Sequence, residues 1–510
     1  MNRGGEKECG KKRDGQDRAL FFVELSRVKG DPFVREVYGC VEKGVKGHGR
    51  RPLFLVGGAV RNLFLKKPLP LDFDFVYGGE VEGLARRVAL KLKGAAFLLD
   101  KKEGLYRVAL KENKALRTID IAPLRHRDIS EDLRARDFTV NAVALDLEAL
   151  FEGRGEGVGT PVIDPCGGID DCRRGTLRAV APEVFDADPL RSLRGVRIAR
   201  QYALEMTAGT RELIKEKSRL LLEKKTAPER IRDELLLIFR NSGSSRALGD
   251  LYALNIIKAV LPEAGGWPDV DGYGLADHAM KTVSEAERLL ERIEEGRGGF
   301  PAEVKRYFKG SAGMADNATL LKLAAFLHDC GKPLTMAREQ GRLRFIGHDE
   351  KGESLTRDIL KRLKMSRRVA STVTGLVRNH HRVFTLAALK VRSERAKAHF
   401  FRAAGGPGGG DGLALLLLAL ADARATRGGE DAELAGLTRE MLSFYSGVYV
   451  KKRPRPLMNG REIMEIFSLS EGRLVGNVIK KISEGVEAGV ITNKKEAMEY
   501  IRGWLKERKG

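Results

Sequence analysis

Two hydrophobic patterns divide the chain. The first third contains short apolar segments of strand length, separated by stretches with helical spacing; the predicted strands are 53–56, 72–77, 105–110 and 117–121. From Pro182 onward the sequence is rich in Leu, Ala, Arg, Lys and Glu, which favours helices. We therefore predict an α+β protein, with a small mixed β-sheet first and an extended all-helical region after it.

A glycine pair follows the first predicted strand. The apolar segment Leu53–Val56 ends at Gly57 and Gly58, and a helix is predicted to follow directly. Glycine allows the backbone to turn sharply and to approach a ligand closely. The first N–H groups of the next helix then point toward any group above the turn, which suits a phosphate.

Acidic residues alternate with phenylalanines in the second strand. Asp72 and Asp74 share one face because side chains alternate along a strand, while Phe73 and Phe75 point into the core. Two hard oxygen ligands beside a phosphate-binding turn suit Mg²⁺ with a nucleoside triphosphate. The alternative is an edge strand with two solvated aspartates. Asp120, in a later strand, is predicted either to bridge metals or accept a proton, or to be a half-exposed aspartate without a role.

Polar side chains are dense just before the next apolar segment. Arg134 and Arg136 carry guanidinium forks that match phosphate oxygens. Asp137 and Asn141 add directional groups suited to a ribose or a backbone. This segment is therefore a second candidate for nucleotide binding.

The first long helix of the second region is predicted to begin at Asp188, which precedes a proline. Arg191 and Arg194 then lie on one helix face, and Asp188 with Arg191 can present a joint acceptor and donor edge. The alternative is a helix cap followed by a solvated basic stripe. Further on, Arg230 and Glu234 are four residues apart on a predicted helix and are expected to pair with each other.

A second candidate site lies in the helical region. Its candidate ligands, in chain order, are His278, His328, Asp329 and Asp422. Helices that bring this set together would form a mixed imidazole and carboxylate pocket for a divalent transition metal. Such a metal lowers the pKa of a bound water and polarises a phosphate ester. Each histidine taken alone is more often an ordinary core or surface residue.

The charge balance indicates a polyanionic partner. The 510-residue chain carries 92 Lys and Arg against 70 Asp and Glu, a formal net charge of +22. This excess favours nucleic acid or a membrane surface, but no apolar run approaches the ~20 residues that span a bilayer. Five scattered cysteines, without metal-ligand spacing, favour a reducing compartment. We predict a cytoplasmic protein that handles nucleic acid and has no membrane partner.

Several of these segments resemble the motifs of one enzyme family, the class II tRNA nucleotidyltransferases (CCA-adding enzymes) and bacterial poly(A) polymerases. The matching segments are Gly57 to Asn62, Asp72 to Asp74, Arg136 to Asn141 and Asp188 to Arg191. The departures from the family pattern are Asn62 in place of Asp, Ala135 in place of Arg and Ala187 in place of Glu.

The resemblance implies a role for each matching residue. Asp72 and Asp74 would hold two Mg²⁺ ions that activate an RNA 3′-hydroxyl and bind the triphosphate, so that pyrophosphate leaves in line. The implied nucleotide ligands are Gly57, Gly58 and Arg61 for the phosphates, Arg136, Asp137 and Asn141 for the sugar side, and Asp188, Arg191 and Arg194 for the base. The family accepts CTP and ATP.

The ordered set of histidines and aspartates in the helical region resembles the HD family of metal-dependent phosphohydrolases. That resemblance implies a helical domain in which the four candidate ligands hold a metal. His348, with His380 or His381, would add the extra ligands of a two-metal site.

These features together predict the organisation of the chain. The predicted parts are a disordered basic tail (1–18), a nucleotidyltransferase head (19–180), a helical neck for base selection and RNA binding (181–265), an HD domain (266–425) and a C-terminal helical RNA-binding region (426–510). The implied function is template-independent addition of CCA, or part of it, to tRNA 3′ ends from CTP and ATP.

Three alternatives stay open. The chain is a poly(A) polymerase or a specialised C-adding or A-adding enzyme; or it is mainly an HD phosphohydrolase with a degenerate head; or it is a basic RNA-binding protein with both sites inert. For any of the transferase functions, the partner is a tRNA or another RNA 3′ end. The sequence does not predict an oligomeric state.

Overall fold

The computed structural model of the chain describes residues 25–41, 51–112, 115–153, 161–223, 226–267, 274–311, 314–389, 392–405, 410–452, 457–487 and 490–507. The predicted basic tail, 1–18, lies outside these ranges. The predicted order of a mixed sheet followed by helices is confirmed.

A seven-stranded sheet forms the head. Its strands are β1 Leu53–Val56, β2 Asp72–Tyr77, β3 Ala95–Asp100, β4 Leu105–Glu112, β5 Ala115–Pro123, β6 Ala144–Asp146 and β7 Val162–Ile163. Their order is β3-β4-β5-β2-β1-β6-β7. Strands β2 and β5 run parallel, whereas the other neighbours run antiparallel. The four predicted strands are present, and β3 is an additional edge strand.

The head helices pack on the sheet. They are α1 Pro32–Gly39, α2 Gly58–Phe64, α3 Val81–Leu92, α4 Ile129–Arg134, α5 Leu147–Glu152 and α6 Gly168–Arg174. Phe73 and Phe75 point from β2 into one core, which α1 and α3 help to cover. On the opposite face, Val56 and Val76 pack with Ile129 in a smaller cluster. This second face leaves the start of β2 open, and the acidic residues lie there.

The neck consists of short helices. Phe138 of the head packs in the same core as these helices. The neck helices are α7 Glu183–Ala187, α8 Arg191–Tyr202, α9 Ala208–Lys217, α10 Leu220–Glu223, α11 Pro228–Arg240, α12 Ser244–Ala253 and α13 Ile257–Val260, and the strands β8 Thr176–Leu177 and β9 Glu205–Met206 pair beside them. Helix α8 begins at Arg191, later than predicted, because Asp188 closes a turn first: its carboxylate accepts from the Leu190 N–H.

The next region is helical apart from one small hairpin. Its helices are α14 Leu275–Glu294, α15 Ala302–Lys309, α16 Asn317–Leu327, α17 Lys332–Thr335, α18 His348–Arg362, α19 Arg367–Asn379, α20 Arg382–Ala387, α21 Glu394–Ala404, α22 Asp411–Arg427, α23 Ala432–Phe444 and α24 Val450–Lys452, and the hairpin strands are β10 Ala337–Glu339 and β11 Arg342–Arg344. Helix α22 is apolar around its circumference and therefore lies in the interior. One continuous core joins this region to the neck.

A separate small core holds the C-terminal helices together. These are α25 Gly460–Phe467, α26 Arg473–Glu487 and α27 Lys494–Glu507, and Ile463, Val478 and Ile501 are buried between them. Asn459 and Glu462 cap α25 reciprocally. In the described part of the chain, no helix combines the length and the apolar character needed to cross a membrane.

Gly195 sets the distance between α8 and the head. A Cβ atom at this position would lie 2.8 Å from Cζ of Phe138 and 3.0 Å from Cδ1 of Ile214, both buried. We expect Gly195→Ala to destabilise the protein by about 1–3 kcal/mol, because overpacking outweighs the better helix propensity of alanine.

The matched control is Gly375→Ala in α19, where a Cβ would meet nothing within 4 Å. This substitution should stabilise the protein by up to about 1 kcal/mol. Denaturant unfolding followed by circular dichroism measures both changes. An equal gain in stability for the two variants would contradict the close packing at Gly195.

Candidate nucleotide and metal sites

Parallel pairing of β2 with β5 forms a row of carboxylates. Asp74 is the register partner of Asp120, and Asp72 is the partner of Thr118, whose hydroxyl donates to the Asp72 carboxylate at 2.6 Å. Both residues of the predicted Asp pair are exposed, while Phe73 between them is 1% exposed. The predicted shared face of the acids is confirmed.

Asp120 is held by an arginine that sequence reasoning missed. Arg107 lies opposite Asp120 in β4, and its Nε and Nη2 each donate to one carboxylate oxygen at 2.7 Å. Both oxygens of Asp120 are thus engaged by one guanidinium, and the carboxylate lies beside Asp74 as a neighbouring negative charge. Its role as proton acceptor stays a prediction.

Asp74 is the most perturbed acid of the row. Its side chain reaches solvent at the mouth of the cleft, yet protein atoms surround it on the other sides. This loss of hydration, with the nearby charge of Asp120, raises the pKa of the Asp74 carboxyl to about 6. A divalent cation would relieve the repulsion among these acids, so the residues present fit a metal of the hard type.

The glycine turn lies directly over this row. Gly57 has φ +70°, and a Cβ there would lie 3.0 Å from Oδ2 of Asp74 and 3.5 Å from Nη1 of Arg136. Only a residue without a side chain allows the backbone to approach both groups. Within the described part of the chain, the buried Nε atoms of Arg61, Arg136 and Arg191 have no hydrogen-bond partner. The guanidinium groups of Arg136 and Arg61 lie beside the turn, and positive charge there fits an anionic ligand.

Arg61 points inward. Its Nη1 donates to Oδ1 of Asn141 at 2.7 Å, and its Nη2 donates to the Tyr202 hydroxyl at 2.5 Å. The neighbouring Asn62 donates through Nδ2 to the Pro68 carbonyl at 2.9 Å, a bond that an ionised aspartate cannot form. The departure at Asn62 thus supports the loop that leads into β2.

Ion pairs join the head to helix α8. Arg194 contacts Asp137 through Nη1 at 3.3 Å and Glu234 through Nε at 3.1 Å, and Asn141 donates to Asp137 at 2.9 Å. Burial alone would raise the pKa of Asp137, but Arg194 and the Asn141 amide bring it below its ordinary value. Arg197 also donates to Glu234, at 2.6 Å, so Arg194 and Arg197 of the basic stripe lie in ion pairs, not in solvent.

Asp188 and Arg191 have fixed partners. Both carboxylate oxygens of Asp188 accept from Arg230, at 3.2 and 2.7 Å, so the expected pairing of Arg230 with Glu234 is wrong. Arg191 donates through Nη1 to the carbonyl of Ala135 at 3.0 Å. Ala135, which stands where the family has an arginine, thus contributes its backbone oxygen. Asp188 and Arg191, the two side chains predicted to read the base, are therefore both held in orientation.

The second candidate site brings its predicted ligands together. His278 Nε2 lies 3.2 Å from His328 Nε2, 3.4 Å from Asp329 Oδ2 and 3.2 Å from Asp422 Oδ1. His328 and Asp329 are buried at the end of α16, and Asp422 lies on α22. Among the described residues, His278, His328 and Asp329 have the convergence of ligand atoms that a metal ion needs.

A second histidine group adjoins the first. His348, His380 and His381 converge in the same way. Oδ1 of Asp329 lies 3.4 Å from Nε2 of His348, whereas its Oδ2 faces the first group, so one carboxylate borders both. Burial lowers the pKa of His380 to about 3, which keeps its imidazole neutral and able to bind a metal.

Gly331 fixes the spacing of the two histidine groups. It lies two residues after Asp329, in the turn that follows α16, and a Cβ there would lie 2.0 Å from the carbonyl oxygen of His348. The backbone that carries one group thus lies directly against the first turn of α18, which carries the other. The donor set of imidazoles and a shared carboxylate fits two transition-metal ions.

The sheet, the glycine turn and the carboxylate row define a nucleotidyltransferase. Residues 53–178 match the poly A polymerase head domain family, residues 203–265 the family described as a probable RNA and SrmB-binding site of polymerase A, and residues 275–426 the HD domain family.

Curated relatives extend the match to almost the whole chain. The A-adding tRNA nucleotidyltransferase of Deinococcus radiodurans is 32% identical over 89% of this chain and 96% of its own length. The CC-adding tRNA nucleotidyltransferase of Thermus thermophilus is 32% identical over 88% of this chain and 93% of its own length. This chain belongs to the tRNA nucleotidyltransferase family.

Solved structures share the fold. The Thermotoga maritima CCA-adding enzyme complexed with tRNA has a TM-score of 0.54 at 20% identity and covers 94% of this chain and 98% of its own. A CCA-adding enzyme in complex with CTP has a TM-score of 0.53 at 20% identity, with coverages of 94% and 97%. These solved structures therefore share the overall fold of this chain.

Because Asp329 borders both histidine groups, we expect removal of its carboxylate to lower metal retention at both of them. Wild-type protein loaded with Co²⁺ and desalted should retain about two equivalents, and Asp329→Ala should lose both, since each histidine group loses its carboxylate. Inductively coupled plasma mass spectrometry measures the retained metal.

The matched control is Asp349→Ala. Asp349 also follows a histidine directly, but its carboxylate pairs with Arg378 and lies outside both groups. This variant should retain metal as the wild type does. Equal retention by Asp329→Ala and wild type would contradict the shared carboxylate.

Proposed function

We propose that this protein transfers nucleotides from CTP and ATP to the 3′ end of tRNA, adding CCA or part of it without a template. The observation that carries the proposal is the carboxylate row of Asp72 and Asp74 beneath the glycine turn, on a chain of the tRNA nucleotidyltransferase family. Asp72 and Asp74 would hold Mg²⁺, which when bound neutralises triphosphate charge and activates the attacking hydroxyl.

The chain's own groups orient the nucleotide. Gly57 leaves room for a phosphate beside Arg136, and Nη1 of Arg136, which faces the turn, would offer that phosphate a charge-assisted hydrogen bond. Asp120, held by Arg107, lies beside Asp74 and adds negative charge to the row. These groups bind and align the triphosphate, and pyrophosphate leaves toward the arginines.

Base choice is assigned to the neck. Arg230 holds the Asp188 carboxylate, and backbone carbonyls hold Arg191, so an acceptor and a donor are already oriented before a base arrives. A preoriented donor and acceptor reject a base with the wrong edge, because burial would leave their polar groups unpaired. Asp137 and Asn141 lie between this pair and the glycine turn and are assigned to the sugar side.

An acceptor series tests which nucleotides are added. Transfer RNAs that end at the discriminator base, at C and at C-C are each incubated with Mg²⁺ and one or both of CTP and ATP. Completion of CCA indicates full synthesis, whereas C addition alone or terminal A addition alone identifies a specialised enzyme. Long A tails on any RNA would indicate a poly(A) polymerase. Absence of addition to every acceptor would overturn the proposal.

Removal of one metal-binding carboxylate should abolish transfer. We expect Asp72→Ala to lower incorporation by at least about 10³-fold, because the triphosphate and the attacking hydroxyl lose charge stabilisation worth several kcal/mol. Affinity for tRNA, measured by gel shift, should change little since phosphate contacts elsewhere supply it. Asp170→Ala, an exposed aspartate of α6, is the control and should retain activity.

The second site supports a second function, which we propose as hydrolysis of a phosphate ester. Two groups of ligands that share Asp329 are the specific observation that favours it. Transition-metal ions held there would supply an activated water. Lys332, with Nζ 2.5 Å from Asp329 Oδ2, adds a positive charge beside the pocket that suits a phosphate oxygen.

Hydrolysis of a 2′,3′-cyclic phosphate in the presence of Co²⁺ or Ni²⁺ tests this function. We expect Asp329→Ala to lose hydrolysis while keeping nucleotide addition, because the head is not part of this site. Asp72→Ala should show the reverse pattern. Hydrolysis that persists unchanged in Asp329→Ala would assign the activity to a contaminant and contradict the proposal.

A further inference from the structure

Arg61 is a buried cation that depends on a tyrosine of the neck. It is 7% exposed, and among the described residues no carboxylate lies within ion-pair distance of it. Its guanidinium carbon lies 4.0 Å from the ring centroid of Tyr202, and the Tyr202 hydroxyl accepts from Nη2. A buried charge without an ion pair relies on such neutral partners. Tyr202 is therefore a principal stabiliser of the Arg61 cation.

This cation lies directly behind the glycine turn. The backbone N–H of Arg61 donates to the Gly57 carbonyl at 3.0 Å. A Cβ at Gly58 would lie 3.4 Å from Nη2 of the Arg61 guanidinium. Among the described residues no carboxylate pairs with it directly, and Asp137 lies behind Asn141, so an anion in the turn would lie near an incompletely neutralised guanidinium. Under the proposed function, that occupant is the triphosphate.

The contact also fixes the neck helix to the head. Tyr202 is the last residue of α8, and Arg194 lies eight residues earlier, about 12 Å along the helix at 1.5 Å per residue. Arg194 contacts Asp137, which Asn141 joins to Arg61. Helix α8 is thus held to the head near its start, through Arg191 and Arg194, and at its end, through Tyr202. Arg191, the proposed base-reading residue, lies in its first turn.

We propose that Tyr202 is a positioning residue for nucleotide transfer: it holds Arg61 against the glycine turn and fixes the distance from that turn to the base-reading pair. The inference rests on the proposed function, since it concerns the same nucleotide. Tyr202 itself touches neither the carboxylate row nor Asp188 in the described contacts. Its effect on the reaction passes through Arg61 and through the orientation of α8.

Two substitutions separate the contributions of Tyr202. Tyr202→Phe keeps the ring over the guanidinium and removes the hydroxyl, and Tyr202→Leu removes both. We expect the KM for the preferred nucleotide to rise about 10-fold in Tyr202→Phe, because one hydrogen bond to a charged group is lost, and further in Tyr202→Leu. Misincorporation of UTP and GTP should rise with it, whereas the melting temperature of Tyr202→Phe should stay within a few degrees.

Tyr252→Phe is the matched control. Tyr252 is a neck tyrosine whose hydroxyl donates to the Ala264 carbonyl, another neck residue, at 3.1 Å. This variant should keep both KM and base discrimination. A melting-temperature loss in Tyr202→Phe without any change in discrimination would reduce Tyr202 to a structural residue and overturn the inference.

A binding measurement separates this inference from the proposed function. Titration of wild type and Tyr202→Phe with CTP and ATP, each with Mg²⁺ and without RNA, reports nucleotide affinity independently of turnover. Weaker binding by Tyr202→Phe than by wild type supports the inference, and equal binding overturns it. Failure of the wild type to extend any tRNA, in contrast, overturns the proposed function alone.

Discussion

The structure depends on a concentration of negative charge that parallel pairing of two strands creates. Strands β2 and β5 place Asp74 beside Asp120, with Asp72 two residues away on the same face. Like charges repel more strongly where protein atoms replace water. Arg107 and Arg136 offset part of that repulsion from either side, and the remainder gives the cleft its preference for a cation. The glycine turn and the neck are arranged around this cleft.

Ion pairs join the neck to the head. The buried Asp137 of the head has its charge partner in Arg194 of α8, and the other side of that guanidinium faces Glu234 of α11. Buried ion pairs add little to stability unless their geometry is good, but they strongly penalise a wrong orientation. These pairs therefore fix the orientation of the neck relative to the head.

Local sequence patterns predicted the strands and their exposed faces, but not the partners of side chains that are distant in the chain. Alternation of acids and phenylalanines predicts β2 and its exposed face, since period two is a local property. Arg107 meets Asp120 only through strand register, so its sequence surroundings carry no signal. The expected pairing of Arg230 with Glu234 was wrong because an i,i+4 pair is worth only about 0.3–0.5 kcal/mol, less than a bidentate partner from another element. Likewise, the order of the histidines predicts the ligands of the second site, but helix packing decides that they share Asp329.

Gly331 has a consequence for the choice of metal at the second site. The end of α16 and the start of α18 are in backbone contact there, so the separation of the two histidine groups is set by main-chain atoms and not by adjustable side chains. Ligand rotation is then the remaining means of fitting an ion of different radius. A pair of ions whose size matches the fixed gap would both be held well, whereas larger ions would bind in one half at the expense of the other. If metal ions bind here, the choice between one ion and two would therefore depend on the absence of a side chain at Gly331.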